Sequence, residues 1–359
     1  MPDLTYRTMN AARRRNARLT ALFTLGAALL LLSLGMIAFK PLPAAAQSEP
    51  TPFPLFAFPD ARLSAAVSSN TLALGKDNRT LVAANSFDNS ISVIELPQGR
   101  LKTEIAVGLD PRSVALTGDG FRAVSANRGD GTLSLVDLAS AEVVTIRLGG
   151  VNPYGVVIGD GDMAYVSLQG SSAIVEVSLL ERRVTRYFSV PEAPSGLALW
   201  GDFLYVTHFW SGDLTLVYIP DGRVARTLKT GIDTGLSQAV ELDITRGLAY
   251  LPQTRSNADN PALTYDSVVF PIVNQVDLRN LSLVRTERIA LDIADRPVNM
   301  PFALALDRFR QWLYVANAGT NDVSVIDLNT GLARAHLEVG TNPRGILLNR
   351  DNSLLFVNN

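Results

Sequence analysis

The chain has 359 residues, no cysteine, only two histidines (His208 and His336) and a formal net charge of -2. The lack of cysteine excludes disulfides, thiolate metal sites, a cysteine nucleophile and covalent c-type haem attachment, and two histidines exclude a multi-histidine metal cage. With 47% hydrophobic and 18% charged residues, the composition is not that of a disordered chain.

In chain order, Arg13, Arg14, Arg15 and Arg18 precede an uncharged run from Leu19 to Phe39, followed by Lys40 and Pro43-Ala44-Ala45-Ala46-Gln47. A basic segment, an apolar segment and a small-residue site read as a secretory leader over 1–46. The 21-residue apolar run also has the length of an uncleaved anchor over 19–39. Either way the arginines stay inside, so the remainder is expected outside the cytoplasm: periplasmic, cell-surface or secreted. Residues 47–70, with Pro50, Pro52, Pro54 and Pro59, read as an extended linker. Without residues 1–46 the body has 26 basic and 33 acidic residues, net -7, which argues against nonspecific nucleic-acid binding. Membrane contact is expected only through the N-terminal segment.

From residue 71 one phrase recurs. It appears as Val82-Ala83-Ala84-Asn85, Val124-Ser125-Ala126-Asn127, Tyr165-Val166-Ser167-Leu168, Tyr205-Val206-Thr207-His208, Tyr250-Leu251-Pro252-Gln253, Tyr314-Val315-Ala316-Asn317 and Phe356-Val357-Asn358-Asn359, at steps of 42, 41, 40, 45, 64 and 42. A second β-rich phrase (Ser92-Val93-Ile94-Glu95, Ser134-Leu135-Val136-Asp137, Ser324-Val325-Ile326-Asp327) and a turn ending at Pro111, Pro153, Pro194, Pro301 and Pro343 keep the same spacing. Each repeat reads as four short strands cut by Gly/Asp/Asn turns, the unit of a β-propeller blade. The expectation is an all-β, seven-bladed propeller over 71–359 with four-stranded antiparallel blades. Its last blade, begun at Arg344, is incomplete. Either residues 60–69 supply an outer closing strand or the sequence is truncated at its C-terminus; truncation is the expectation, because one strand does not replace two.

The phrases Tyr205-Val206-Thr207-His208 and Tyr314-Val315-Ala316-Asn317 nearly spell the motif of the YVTN family of β-propeller repeats, which residues 71–359 resemble. The stretch Pro252–Asp277, with Asp295-Arg296-Pro297-Val298-Asn299-Met300-Pro301, looks like propeller modules joined to di-haem cytochrome c peroxidase-like (MauG-like) domains. That resemblance implies a cytochrome partner or a separate haem domain; no cofactor is expected in this chain, and haem only in such a partner.

In an up-and-down meander, the connections between blades and those joining the second and third strands of a blade share one face. Residues that follow the turn prolines (Arg112, Tyr154, Arg344) and residues that follow or end the recurring phrase (Arg128, His208, Arg255) become binding candidates there. Clustered arginines suit a carboxylate or phosphate, and pairing with Asp110, Asp119 or Asp130 is the bland alternative. The long connection 254–266 adds Asn257, Asp259, Asn260, Tyr265 and Asp266 as loop candidates, because long loops on a working face carry function. His336 falls on an outer strand and is expected in solvent. The asparagines and the aspartates ending third strands are expected to bond turns. No nucleophile elbow, phosphate loop or calcium ladder is present. No catalytic residue is assigned: the chain reads as an exported scaffold for a protein, polymer or small anion. A module serving a cytochrome is the alternative, and a lactonase-like hydrolase a more distant one.

Overall fold

The computed structural model describes residues 66–231, 233–256 and 269–359. The leader, its apolar run and most of the linker lie outside the described residues, as do the loop candidates Asn257, Asp259, Asn260, Tyr265 and Asp266. Among the described residues no helix is long and apolar enough to cross a membrane.

Six antiparallel blades follow one another. Blade 1 comprises Leu72–Leu74, Thr80–Asn85, Ser90–Glu95 and Arg100–Ala106, and blade 2 Pro111–Leu116, Arg122–Asn127, Thr132–Asp137 and Val143–Arg147. Blade 3 begins with Pro153–Ile158, blade 4 with Pro194–Trp200 and blade 6 with Pro301–Asp307. Blade 5 is the irregular one. Its long second and third strands, Leu248–Ser256 and Val269–Asp277, carry four short segments on their flanks. The inner strands, such as Arg122–Asn127 and Pro301–Asp307, are near-continuous buried runs rich in Val, Leu and Ala, so both faces of a blade are apolar there and a neighbouring blade covers them, whereas outer strands such as Leu332–Glu338 are largely exposed. Buried clusters accordingly bridge each pair of successive blades from 1 to 6.

The seven-bladed expectation is corrected here. Residues after Arg344 form only a two-stranded sheet, Gly345–Leu348 paired with Leu355–Asn358. One face of this hairpin, with Ile346, Leu348, Leu355 and Val357, packs on blade 6. The other, with Leu347 and Phe356, packs on Leu72, Leu81 and Ala83 of blade 1. The hairpin thus lies in the gap between blades 6 and 1.

The alternative of an outer closing strand from residues 60–69 is also corrected, because the described residues before blade 1 run along the axis of the ring. Val67–Ser68 pairs antiparallel with the innermost strand of blade 4, Val67 opposite Leu199 and Ser68 opposite Ala198. Ser69 N–H donates to Leu197 O at 2.7 Å, and Val114 N–H of blade 2 donates to Asn70 O at 2.9 Å. Asn70 Nδ2 donates to Ile346 O of the hairpin at 2.7 Å, and Ser68 Oγ donates to Glu241 Oε2 of blade 5 at 2.9 Å. One short extended segment therefore satisfies backbone and side-chain groups on several sides of the central hole.

Room for this segment comes from small residues in the second position after each turn proline: Ser113, Gly155, Gly196, Ala303 and Gly345. A Cβ on Gly345 would stand 1.9 Å from Thr71 Oγ1, and one on Gly155 2.9 Å from Ser69 Oγ and 2.6 Å from Ser195 O. Neither glycine has room for a methyl group without displacement of the axial segment or the adjoining blade. We expect Gly345→Ala to cost about 1–3 kcal/mol through overpacking, read as a lower urea midpoint. Gly118→Ala, whose Cβ meets only the Lys76 ammonium at 3.7 Å, should stay near wild type. Equal midpoints for the two variants would contradict the packing.

Candidate functional site

The turns that end in proline share a backbone device. The residue before each proline is left-handed, with φ of 52° at Asp110, 56° at Asn152, 51° at Ala193, 51° at Met300 and 59° at Asn342. Asn and Asp tolerate this region better than other non-glycine residues. Just after the proline the strand register slips: Pro111 pairs Asn127 while Ser113 pairs Ala126, and Pro301 pairs Asn317 while Ala303 pairs Ala316. The residue between is the extra one of a β-bulge, the feature that re-aims a side chain at a sheet edge. Arg112 and Phe302 occupy such positions, and Tyr154 and Ser195 lie within the corresponding slips of blades 3 and 4.

The shared face is established by backbone bonds between its two sets of loops. Arg128 N–H donates to Asp110 O, Phe209 N–H to Ala193 O and Ala318 N–H to Met300 O, each at 2.9 Å. At the axis these loops surround a cavity of about 30 Å³, lined by Arg112, Tyr154, Gln238, Phe302 and Arg344 and floored by Ser69, Asn70 and Thr71. The central hole is therefore a cup closed by the chain's own axial segment.

Positive charge dominates the cup. Arg112 Nη2 donates to Asp110 Oδ2 at 3.0 Å, and Arg128 Nη1 lies 3.5 Å from the same oxygen. Asp130 is spent elsewhere, accepting from Leu109 N–H at 3.1 Å and Thr132 Oγ1 at 2.7 Å. Arg344 has no carboxylate partner among the described residues. It lies over the Phe302 ring, 5.6 Å from its centroid, and Asn342 Oδ1, in the amide orientation that satisfies its neighbours, accepts from Arg344 Nη2 and Nε at 3.0 and 3.1 Å. Burial, reinforced by the Arg112 guanidinium, pulls Arg344 below the ordinary arginine range, with Tyr154 and Asp110 working the other way. A guanidinium does not lose its proton in a protein, so the effect stands as uncompensated positive charge.

Tyr154 donates its hydroxyl across the cup to Gln238 Oε1. Burial pushes the Tyr154 phenol up to about 12, so it adds no negative charge among the arginines. Deeper in the ring, burial also raises the Glu241 carboxyl, only partly offset by Arg308 and Ser68. Gln238 is blade 5's counterpart of Arg112, and Asn70 fills that place in blade 1. Sequence reading missed both, because Gly235-Leu236-Ser237 replaces the proline turn and the linker hid Asn70. The left-handed Leu236, whose N–H donates to Phe209 O, marks the equivalence only in three dimensions.

Arg112, Arg128, Tyr154 and Arg344 therefore converge, whereas His208 and Arg255 stand apart. Arg255 pairs with Asp233 at the edge of blade 5 and lies 5.8 Å from the Phe270 ring centroid. His208 is fully buried in blade 4, where Nδ1 donates to Glu192 O and Nε2 contacts Thr215 Oγ1, both at 2.8 Å. The counterparts of His208 show its role. Asn127 Nδ2 donates to Thr132 Oγ1 and Ser134 Oγ at 2.9 Å, and Asn317 Nδ2 to Asp322 Oδ1 and Ser324 Oγ at 2.7 and 3.1 Å. These residues staple the second strand of a blade to its third. The turn bonding expected of the aspartates is present: Asp137 Oδ1 accepts from Ala139 and Ser140 N–H, and Asp277 Oδ1 from Arg279 N–H. His336 departs from its expected solvent position. It is mostly buried between Asp295, 2.7 Å from Nδ1, and Asp322, 3.3 Å from Nε2, because the insertion before blade 6 folds Asp295 over it.

No family model matches the sequence, and no curated protein matches it. Among solved structures, hydrazine synthase of Kuenenia stuttgartiensis matches with a TM-score of 0.71 at 17% identity, over 80% of this chain and 91% of that one. The shared feature is the fold. This is a β-propeller protein.

Burial lowers the His208 pKa below its ordinary 6.5. Unfolded chains therefore take up a proton near 6.5 while the folded ring resists it, so this contribution to stability is complete above that pH and is lost as pH falls below it. His208→Asn restores the residue found in blades 1, 2 and 6. It should lose less of its urea midpoint than the wild type between pH 7.5 and 5.5; parallel losses would refute the assignment.

Proposed function

We propose that the chain is a non-catalytic, exported binding module whose arginine-lined cup takes a carboxylate or similar oxyanion carried by a protein, a polymer or a small molecule. One observation carries this reading: Arg112 and Arg128 share a single carboxylate, Asp110, while the neighbouring Arg344 lines the same cavity with no carboxylate partner among the described residues. A desolvated arginine without an acidic partner binds anions well, since its cost of burial is already met by the fold and its fork matches a carboxylate. Export is supported by the basic and apolar N-terminal run followed by a small-residue cleavage pattern. No observation on the described residues favours the cytochrome-serving or lactonase-like readings over this one.

The test is a titration of 15N-labelled protein with sodium acetate and, separately, inorganic phosphate, following arginine Nε–H resonances. We expect saturable shifts at Arg112 and Arg344 that weaken with salt. Arg344→Gln should cost about 1.5–3 kcal/mol of that binding, roughly tenfold or more. Absent shifts, or shifts unchanged in the variant, would overturn the reading.

A further inference from the structure

Around the cup, charge is uneven: Asp88, Arg128, Asp130, Glu192, Asp295 and Arg296 stand in some of its loops, and others are uncharged. The loops 148–152, 169–172, 209–212, 318–321 and 339–342 contain no charged residue. The same face exposes apolar side chains that monomeric packing does not cover: Trp210 at 70%, Phe87 at 93%, Leu109 at 52% and Val151 at 57%. Phe87 and Trp210 stand in second-to-third-strand loops of blades 1 and 4, and Leu109 and Val151 in turns entering blades 2 and 3. Phe209 meets Trp210 edge-on, with centroids 4.5 Å apart, which holds this aromatic pair at the rim. A small, strongly positive pit thus opens beside uncharged loops around blades 3, 4 and 6, which include the exposed Trp210 and Val151.

Three constraints define the complementary ligand. It carries one anionic group small enough for about 30 Å³. That group enters end-on, because Ser69, Asn70 and Thr71 lie across the channel below. Along the uncharged loops 148–152, 169–172 and 209–212, the part that stays outside meets glycine, serine and asparagine beside the exposed Trp210 and Val151, so there it is uncharged and mixed in polarity. An internal Asp or Glu would bring two chain arms to the mouth of a pit built for one. A polypeptide C-terminus has a single carboxylate at its tip and one chain leaving it, and carboxylate capture at a chain end is a recurring recognition mode.

We propose that this face docks the C-terminus of a partner polypeptide, with the terminal carboxylate on Arg112 and Arg344 and neutral, apolar-containing residues before it lying on the rim beside Trp210. The inference rests on the anion-binding reading above and adds the source of the anion.

The full chain is tested on an array of neutral hexapeptides synthesised with free C-termini, covering all neutral residues at the last three positions, beside the same peptides as C-terminal amides. Sequences bound on the array are measured by fluorescence anisotropy, with acetate and dodecanoate as competitors. We expect free-acid peptides to bind at least about tenfold tighter than their amides and than acetate. Arg344→Gln should abolish that difference. Trp210→Ala, an exposed position whose truncation leaves the core intact, should weaken the peptide several-fold and leave acetate unchanged. Equal binding of acids and amides, equal binding of amidated peptides with one internal Glu, or no bound sequence on the array would overturn the inference. So would dodecanoate matching the best peptide with no effect of Trp210→Ala. In each of these cases the acetate titration still stands or falls on its own: saturable acetate binding with no peptide preference removes the partner and keeps the anion site, whereas its absence removes both.

Discussion

The ring depends on the short segment that leads along its axis into blade 1. Residues 67–71 run up the central axis and bond the innermost strand of blade 4, the backbone of blade 2, Glu241 of blade 5 and the closing hairpin. Inner strands of a propeller otherwise present unpaired edge groups to the channel, and a buried unpaired group costs about 1–3 kcal/mol. Here the axial segment pairs part of that edge. It also supports the gap between blades 6 and 1, where only two strands stand and interblade burial is least. Asn70 is the pivot: its amide reaches Ile346 O and its own carbonyl takes Val114 N–H and Ser113 Oγ.

The same segment turns a channel into a cup. Small residues one place below the mouth admit the strand, and the bulges one place above it turn Arg112 and Phe302 toward the hole. Packing and recognition are thus adjacent layers of one repeated turn, and the second layer sets the depth of the first. Arg344 is covered on one side by the Phe302 ring, and Asp110 is the carboxylate that Arg112 and Arg128 share.

Much of this arrangement was legible in the residues. The period near 42, the turn prolines and the strand phrases define the blades to within a residue or two, because each repeat restates the same packing problem. The convergence of Arg112, Tyr154 and Arg344 was legible for the same reason, since equivalent positions in a closed ring face one another. Three features were not. The axial path of 67–71 has no periodic signal, as the segment pairs with strands some 43 to 276 residues away. Blade 5 lost its marker when Ser237 took the place of proline, and Gln238 went unnoticed with it. The count of seven does not hold, because the hairpin read as an incomplete seventh blade is a two-stranded sheet beside six full blades.

Deuterium exchange over the segment 66–72, followed together with the inner strand of blade 2, tests the axial segment most directly. If residues 67–71 plug the ring, the amides of Ser69 and Val114 exchange only through the openings that release the inner strands, and both slow alike. Exchange of Ser69 at the rate of a free chain, with Val114 protected regardless, would contradict the account.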